Sequence, residues 1–374
     1  MVNSHFWMAC LIAAGVTALL IAILRPLAAP LGLIDHPNDR KHHVGAVPLI
    51  GGLALFGGTV AANLFYGAIG PFRLTLIETA VVMAVIGALD DRHDLSVRVR
   101  LFAQVACVLC VILSTGVYIT SLGHVFGRPI ELGLLGIPFT VVAVIGLLNA
   151  FNMMDGIDGL AGSQALVSVC TLMVFDHDHN MHGMIVLLSS LGAATLPYLL
   201  VNLGLTKRKI FLGDAGSMVV GYLLSWALIR LAEAPESQVS PTDVLWCVSV
   251  PVLDTLTVMG RRLLDGKSPF KPDRGHIHHI LLRRGLSPRQ ALVFLLALSC
   301  SFSLLGAVTR HFSSGVSILV FCGVAAVYAW VSLREFRRYK SGPGIPAPAI
   351  VRPIPARPIA PAIKVRAEND ALVD

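Results

Sequence analysis

The chain has few charged residues, and this shortage extends along most of its length. Of its 374 residues, 14% are Asp, Glu, Lys or Arg, 55% are hydrophobic, and the mean hydropathy is +0.75. Soluble globular domains carry roughly 25% charged residues, so the composition excludes an ordinary soluble domain. It predicts an all-α protein that crosses a membrane many times.

Cysteine is also scarce, and its placement gives no sign of a disulfide framework. All seven Cys residues lie in apolar segments, and the one closely spaced pair, Cys107 and Cys110, has no further zinc ligands near it in the sequence. A structural zinc site needs four ligands. We therefore interpret the cysteines as buried thiols that pack like small hydrophobic side chains.

Long apolar runs take the place of the missing charge. Eleven of them approach the ~20 residues that a membrane-spanning helix needs, although the run at 160–175 is short and that at 74–89 is marginal. We predict a bundle of about eleven transmembrane helices. The predicted spans are 6–24, 47–66, 74–89, 99–119, 132–150, 160–175, 181–203, 213–232, 242–260, 291–309 and 314–333.

The Lys and Arg residues predict how this bundle is oriented. With the N-terminus outside, all of the 29 Lys and Arg residues except Arg73, Arg128, Arg230 and Arg310 fall on the inner side. Cytoplasmic loops carry such an excess of positive charge. We therefore expect a periplasmic N-terminus and a cytoplasmic C-terminus. The net charge of +7 is explained by topology and does not predict a nucleic-acid partner.

Four gaps between the apolar runs contain acidic or histidine-rich clusters, and the predicted topology places all four on the cytoplasmic side. Carboxylates are costly near hydrocarbon, and their presence there usually marks function. Acids from four distant segments that meet at one interface predict a site for a divalent metal and phosphate. The clusters lie at 90–94, 149–159, 211–217 and 261–279.

Each acidic gap also has a structural explanation. The pair Asp90 and Asp91 could belong to a solvated loop, and Asp214 with Ser217 suits the start of a helix. That second explanation is compatible with function, because a helix N-terminus also attracts phosphate. The segment 149–159 holds two amides and two acids within ten residues, which is more than a break between helices requires.

The fourth gap combines histidines with Arg and Lys residues. His276, His278 and His279 cannot all face one ion on a regular helix, which argues against zinc. As donors to a diphosphate they fit better, and the alternative is a solvated basic loop that sets topology. Asp254 lies inside a predicted span, roughly 10 Å from its inner end, and we expect it to support the site from within.

A further cluster of Asp and His residues at 176–182 also looks like a metal site. The predicted topology places it on the outer side of the membrane, across the bilayer from the other four. We interpret it as a solvated turn.

Five motifs in this order resemble the polyprenyl-phosphate N-acetylhexosamine-1-phosphate transferase family, over about residues 31–290. The histidine motif, with Ile277 between its histidines, resembles the GlcNAc-1-phosphate transferases of O-antigen and common-antigen synthesis. The peptidoglycan translocases of the same family have three consecutive histidines there. The motifs begin at Asp35, Pro48, Asp90, Asn149 and Phe211.

The resemblance implies a role for each motif residue. Asp214 and Asn152 would bind Mg²⁺, with Mn²⁺ as an alternative, and Asp90 and Asp91 would handle the lipid phosphate. Asp158 and Asn202 would contact uridine, and Phe211 would stack on uracil. Arg262 and the three histidines would hold phosphates. The predicted catalytic acids are Asp90, Asp91, Asp155 and Asp158, and the predicted substrate-binding residues are Phe211, Asn202, Arg262, His276, His278, His279, Asp254 and Lys41.

The implied reaction transfers GlcNAc-1-phosphate from UDP-GlcNAc to undecaprenyl phosphate at the inner membrane of a bacterium. Another UDP-N-acetylhexosamine or a 6-deoxy sugar is the first alternative, and a secondary transporter is a remote one. We expect a catalytic domain at 1–335 with its site built from loops 25–46, 90–99, 149–160, 202–217 and 261–290, and a disordered Pro-rich tail at 336–374. The sequence leaves a homodimer open.

Overall fold

Helices make up most of the structure. The computed structural model describes residues 4–36, 45–67, 69–125, 127–176, 182–206, 208–235, 237, 239–268, 273 and 275–341. The helices are α1 (Ser4–Leu31), α2 (Gly51–Tyr66), α3 (Pro71–His93), α4 (Val97–Thr115), α5 (Gly136–Met154), α6 (Leu160–Phe175), α7 (His182–Asn202), α8 (Gly213–Ala232), α9 (Pro241–Cys247), α10 (Ser249–Leu264), α11 (Ile277–Arg283), α12 (Pro288–Thr309) and α13 (Ser314–Ser341).

Two short antiparallel strand pairs accompany the helices. Strand β1 (Ile34–Asp35) pairs with β2 (Val47–Pro48), and β3 (Ser121–Val125) pairs with β4 (Arg128–Glu131). The second pair forms a hairpin between α4 and α5 that apolar patterning did not predict. Its strands are too short and too polar to produce a hydropathy signal.

The all-α, polytopic membrane architecture is confirmed. Within the described residues, 8 helices are long and apolar enough to cross a membrane, or 9 if α9 and α10 form one span. Each remaining predicted span coincides with a shorter apolar helix, α2 or α6, of 16 residues. The number of crossings and the orientation of the termini stay predictions, and the tail beyond 341 lies outside the described residues.

The predicted span at 242–260 is broken. Helices α9 and α10 meet at Val248 with a bend of 84°. Pro251 lies in the first turn of α10 and has no backbone N–H, so it cannot donate to the Cys247 carbonyl as a continuous helix would require. The second segment therefore starts afresh in a new direction.

Helix starts follow recognisable capping sequences. Ser240 and Ser287 each accept a hydrogen bond from the backbone N–H three residues on, and each is followed by proline at the first helical position. Both ends form complete capping boxes, with Asp243 and Gln290 returning the hydrogen bond. These local signals define where α9 and α12 begin.

Helix α8 is the centre of the bundle, and nearly all of its residues are buried. It packs against α2, α3 and α5. The helices approach closely because, at each contact, a glycine of one helix faces the backbone of the other. A Cβ on Gly52 of α2 would lie 2.0 Å from the Gly216 Cα, and one on Gly87 of α3 would lie 2.4 Å from the Ala215 Cα. The start of α8 is thereby held against two neighbouring helices.

Among the helices that extend further than hydropathy predicted, two carry residues of the acidic clusters. Helix α3 continues to His93, so Asp90 and Asp91 lie in its last turn and not in a loop after it. Helix α5 continues to Met154, so Asn149 and Asn152 lie on its final turns. Hydropathy ends a span at the first polar residue, whereas the backbone continues as long as its hydrogen bonds are satisfied.

We predict that Gly52→Ala lowers the stability of the folded protein. The added methyl would meet backbone atoms of α8, which cannot move aside as a side chain could, and overpacking of this kind costs about 1–3 kcal/mol. The measurement is the thermal midpoint in detergent. Gly146→Ala is the matched control, because nothing lies within 4 Å of its Cβ position in α5. Equal midpoints for the two variants would contradict the prediction.

Candidate active site

The carboxylate of Asp91 joins the end of α3 to the start of α8. Its Oδ1 accepts a hydrogen bond from the backbone N–H of Asp214 at 2.9 Å, and its Oδ2 accepts one from Ala215 at 3.3 Å. The first N–H groups of a helix lack intrahelical acceptors, so a carboxylate is favoured there. Gly213 has φ +75°, and a Cβ on it would lie 2.6 Å from Asp91 Oδ2. Asp91 therefore positions the segment that carries Asp214.

Asp90 is held by a base that sequence reasoning treated only as a topology signal. Its Oδ2 lies 2.5 Å from Arg100 Nη1, and its Oδ1 accepts a hydrogen bond from the Leu95 N–H at 2.7 Å. The same Arg100 nitrogen lies 3.9 Å from Asp214 Oδ2. Arg100 thus links two acids from different helices. The contact could not be predicted from the sequence, because Arg100 lies ten residues from Asp90 and on the next helix.

Asn152 and Asp214, the predicted metal ligands, are in direct contact. The Asn152 side-chain nitrogen donates to Asp214 Oδ1 at 2.7 Å and to Ser217 Oγ at 2.9 Å. The Asp214 side chain is 36% exposed, so a ligand can reach it. Ser217 is a polar neighbour that the sequence placed in the motif without a role.

Asp155 lies among other carboxylates. Burial, followed by the negative charges of Asp214, Asp91 and Asp158, raises the pKa of Asp155 to about 8. Acids from the ends of α3 and α5 and the start of α8 therefore share one small volume. Such crowding is unfavourable for the bare protein, and a cation would relieve it.

Asp158 is paired with a base on the segment before α8. Its Oδ2 lies 2.6 Å from Lys209 Nζ, and the same ammonium lies 5.0 Å from the centre of the Phe211 ring. Phe211 is half-buried, and its backbone N–H donates to the Pro48 carbonyl at 2.9 Å. The three side chains form a charged and aromatic patch beside the carboxylates.

Asn202, which the sequence predicts to contact uridine, forms hydrogen bonds with the backbone of two loops. Its side-chain oxygen accepts a hydrogen bond from the Gly159 N–H at 2.6 Å, and its nitrogen donates to the Ile210 carbonyl at 2.9 Å. Only 2% of the residue is exposed. The side chain therefore ties two loops together, and its contact with uridine stays a prediction.

His276 is fixed by the intramembrane acid. Its Nδ1 lies 2.7 Å from Asp254 Oδ2, and both residues are buried. The other oxygen, Oδ1, accepts a hydrogen bond from the Ile277 N–H at 2.8 Å at the start of α11. Asp254 therefore supports the histidine from behind, as expected of an interior acid, and only 1% of it is exposed.

His278 lies in the segment 275–284, called the histidine loop here, and brings that loop to the acidic cluster. Its Nε2 would lie 2.2 Å from a Cβ on Gly156, which follows Asp155. Burial, then the nearby charges of His279 and His276, lowers the pKa of His278 well below its ordinary value. It is therefore neutral at neutral pH, and it would act on a diphosphate as a neutral donor. The His279 ring lies 4.2 Å from the His278 ring and is partly exposed.

Arg262 is already paired, which differs from its predicted role as a phosphate clamp. Arg261 and Arg262 lie 2.5 and 2.7 Å from the two oxygens of Asp273. Burial alone would raise the pKa of Asp273, but hydrogen bonds from Arg262 and Arg261 outweigh it and hold the pKa below its ordinary value. Asp273 is a partner that sequence reasoning missed. Lys41 lies outside the described residues.

Asp176, the one acid of the 176–182 cluster that the structure describes, lies away from this site. Asp176 accepts a hydrogen bond from Ser237 Oγ at 3.4 Å, and it lies at the opposite end of α6 from Asp158. Residues 177–181 are outside the described part of the chain.

The residues present fit a divalent metal only when a ligand completes its coordination. Across the described ranges, no three His, Cys, Asp or Glu side chains form a group that could hold a metal ion. Mg²⁺ usually takes one or two protein carboxylates, and phosphates and waters supply the rest. Asp214 and Asn152, with the crowded carboxylates beside them, fit that pattern.

Comparison with known proteins identifies the family. The model for glycosyl transferase family 4 matches residues 73–232, from α3 to the end of α8. The chain is 35% identical to the undecaprenyl-phosphate alpha-N-acetylglucosaminyl 1-phosphate transferase of Yersinia pestis, over 85% of this chain and 90% of that protein. The chain belongs to glycosyl transferase family 4.

Other members of the family align over similar lengths. Proteins with the same name from Escherichia coli K12 and Haemophilus influenzae are 35% and 37% identical, over 87% and 86% of this chain and 92% and 94% of theirs. The resemblance drawn from the motifs is therefore confirmed. The family match contains the acidic residues of α3, α5 and α8, and the histidine loop lies beyond it.

We predict that Asp155→Asn stabilises the protein increasingly as the pH rises. The unfolded carboxyl ionises near 3.8 and the folded one near 8, so between these values the folded state holds an extra proton. The free energy of unfolding of the wild type therefore falls with pH over this range, and the variant escapes the fall.

Thermal midpoints at pH 5, 6, 7 and 8 measure this effect. The difference between variant and wild type should grow up to pH 8 and then level off. Asp265→Asn, on an exposed loop, is the control and should show a constant difference. A difference for Asp155→Asn that is independent of pH would refute the prediction.

Proposed function

We propose that the protein transfers GlcNAc-1-phosphate from UDP-GlcNAc to undecaprenyl phosphate, giving undecaprenyl-diphosphate-GlcNAc and UMP. The observation that carries the proposal is the convergence of acids from α3, α5 and α8 at one end of the bundle, in a chain aligned almost end to end with relatives of that name. Entry of the product into O-antigen or common-antigen synthesis is part of the proposal.

The placement of the site suits two substrates of opposite solubility. The acceptor phosphate is anchored to the bilayer by its lipid, whereas the nucleotide sugar is dissolved in the cytoplasm. A site at the inner ends of α3, α5 and α8 would reach both. We propose the orientation that the Lys and Arg distribution predicts, with a periplasmic N-terminus, eleven crossings and a cytoplasmic site in a bacterial inner membrane.

The reaction joins an oxygen of the lipid phosphate to the β-phosphorus of the nucleotide sugar. The bond from that phosphorus to the bridging oxygen breaks, and UMP leaves with the electron pair. The second pKa of a phosphate monoester is about 6, so the acceptor is largely ionised at neutral pH. The chain's main tasks are then to align the two anions and to offset their repulsion.

The site residues divide these tasks. Arg100 lies between Asp90 and Asp214. It would either bind an anionic phosphate itself or hold Asp90 in place to accept a proton from the lipid phosphate. Phe211 and Lys209 would receive the uracil and its attached phosphate, with Asp158 holding the ammonium in place. His279 and His276 would contact the diphosphate from the other side.

Asp214 and Asn152 would hold Mg²⁺, or Mn²⁺ in its place. When bound, the ion supplies positive charge at the diphosphate and lowers its repulsion of the incoming anion. Asp91 keeps the backbone of Asp214 in position for this contact.

The alternative function is that of a secondary transporter, which is not an enzyme. Transporter sites lie near the bilayer midplane between broken helices. The bend between α9 and α10 is the feature that favours it, together with the buried Asp254. The main acidic cluster lies at helix ends, which favours the transferase.

The proposal is tested by an assay of purified protein with undecaprenyl phosphate and a panel of UDP-sugars, with Mg²⁺, with Mn²⁺ and with chelator. We expect release of UMP and formation of a lipid-linked product from UDP-GlcNAc in the presence of either metal. Product from UDP-N-acetylgalactosamine or a 6-deoxy sugar alone would favour the alternative donor. Absence of UMP release from every donor would refute the transferase.

We predict that Asp214→Asn nearly abolishes turnover, by about 10²-fold or more, because it removes a charged metal ligand and leaves the fold intact. Product formation by the variant measures the effect, and its thermal midpoint reports the fold. Asp265→Asn is again the exposed control and should retain wild-type activity. Near-normal turnover of Asp214→Asn would refute the metal assignment.

A further inference from the structure

The hydrogen bonds around Asp254 connect the histidine loop to α13, the last helix among the described residues. Asp254 is 1% exposed and His276 is 3% exposed, so their contact of 2.7 Å is shielded from water. Tyr328 of α13 donates its hydroxyl to Asp254 Oδ1 at 3.2 Å. The carboxylate of Asp254, in α10, therefore forms hydrogen bonds with groups at the start of α11 and with a side chain of α13.

These contacts determine which nitrogen of His276 faces a ligand. A carboxylate surrounded by donors from Tyr328 and the Ile277 N–H accepts hydrogen bonds, so the His276 nitrogen that meets it carries a proton. That nitrogen is Nδ1, and Nε2 is left for the substrate. A partner on one ring nitrogen commonly fixes the tautomer and the ring orientation in this way.

Helix α13 holds the same loop at two further points. Glu335 forms an ion pair with Arg284, after the end of α11, and the Phe336 ring lies 3.6 Å from the Arg261 guanidinium. Arg261 in turn packs on Gly275, directly before His276. The inner half of α13 is therefore a support for the loop on which His276 lies.

We propose that Asp254 and Tyr328 are positioning residues: they hold His276 with its Nδ1–H donated to Asp254, so that the other ring nitrogen, Nε2, presents a second N–H to the diphosphate of the nucleotide sugar. The inference deepens the proposed function and rests on it for the identity of the substrate. The orientation of His276 itself is a property of the protein alone and can be measured without turnover.

Asp254→Asn tests the positioning role. The Asn oxygen can still accept from Ile277 and Tyr328, but its other atom is an amide nitrogen that donates to Nδ1. The ring is then left with one proton, on Nε2, and meets phosphate as a neutral donor without the charge that the Asp254 carboxylate stabilises. We expect kcat/KM for the nucleotide sugar to fall about 10- to 100-fold, which is typical for loss of a partner that orients a histidine.

Tyr328→Phe removes a single hydrogen bond and leaves the Asp254–His276 contact. We expect a smaller loss in kcat/KM, about threefold to tenfold. Two controls remove equivalent buried groups elsewhere. Asp243→Asn removes a buried, ion-paired acid at the other end of the α9–α10 pair, and Tyr222→Phe removes a buried hydroxyl bonded to Thr79 at 2.9 Å. Both controls should keep wild-type kcat/KM.

A double-mutant cycle shows whether Asp254 acts through His276. In a His276→Gln background, Asp254→Asn should cause little further loss, because the residue it orients is gone. Multiplicative losses from the two changes would overturn the inference. They would show that Asp254 acts on the fold or on substrate by another route.

Nitrogen-15 NMR of histidine-labelled protein in detergent provides the readout that needs no activity. The wild type should show one histidine with a protonated, hydrogen-bonded Nδ1, and this signal should vanish in His276→Gln and lose its Nδ1 proton in Asp254→Asn. Its absence from the wild type would overturn the inference even if the enzyme is active. Its presence in a protein that turns over no UDP-sugar would support the positioning and refute the proposed function separately.

Discussion

The site depends on one interaction between a side chain and a backbone. The Asp91 carboxylate at the end of α3 accepts the first N–H groups of α8, the most enclosed helix of the bundle. Because Gly87 and Gly213 have no Cβ at this junction, the two helices approach closely enough for the contact to form. Asp214 then takes its position relative to Asn152 and Arg100 as a consequence. The geometry of the proposed site is therefore set by the distance between the helices before any ligand binds.

Much of the architecture could be predicted because membrane helices obey a strong physical constraint. Every polar backbone group in hydrocarbon must be satisfied within its own segment, so apolar length alone locates the helices. The same constraint made the acids at 90–94, 149–159 and 211–217 conspicuous, since each was an exception to it. Their mutual proximity followed from topology, without knowledge of any contact.

The partners of individual side chains could not be predicted. Spacing along a helix defines a face, but the neighbour on that face comes from tertiary packing. Asn202 and Arg262 have the chemistry of substrate ligands, yet each is engaged by the protein itself, with loop backbone in one case and Asp273 in the other. The role of Arg100 was hidden for the same reason, because a positive charge near a membrane surface has a simpler explanation in topology.

The support that α13 gives to the histidine loop has a consequence for biosynthesis. Tyr328, Glu335 and Phe336 belong to α13, and they contact Asp254, Arg284 and Arg261, which are translated 74, 51 and 75 residues earlier. While α13 is still being translated and inserted, Asp254 lacks its tyrosine donor and Arg261 its aromatic partner. During synthesis, the helices that form the acidic cluster are therefore present before α13 can support the histidine loop. Insertion of α13 is therefore the step that braces the histidine loop beside the acidic cluster.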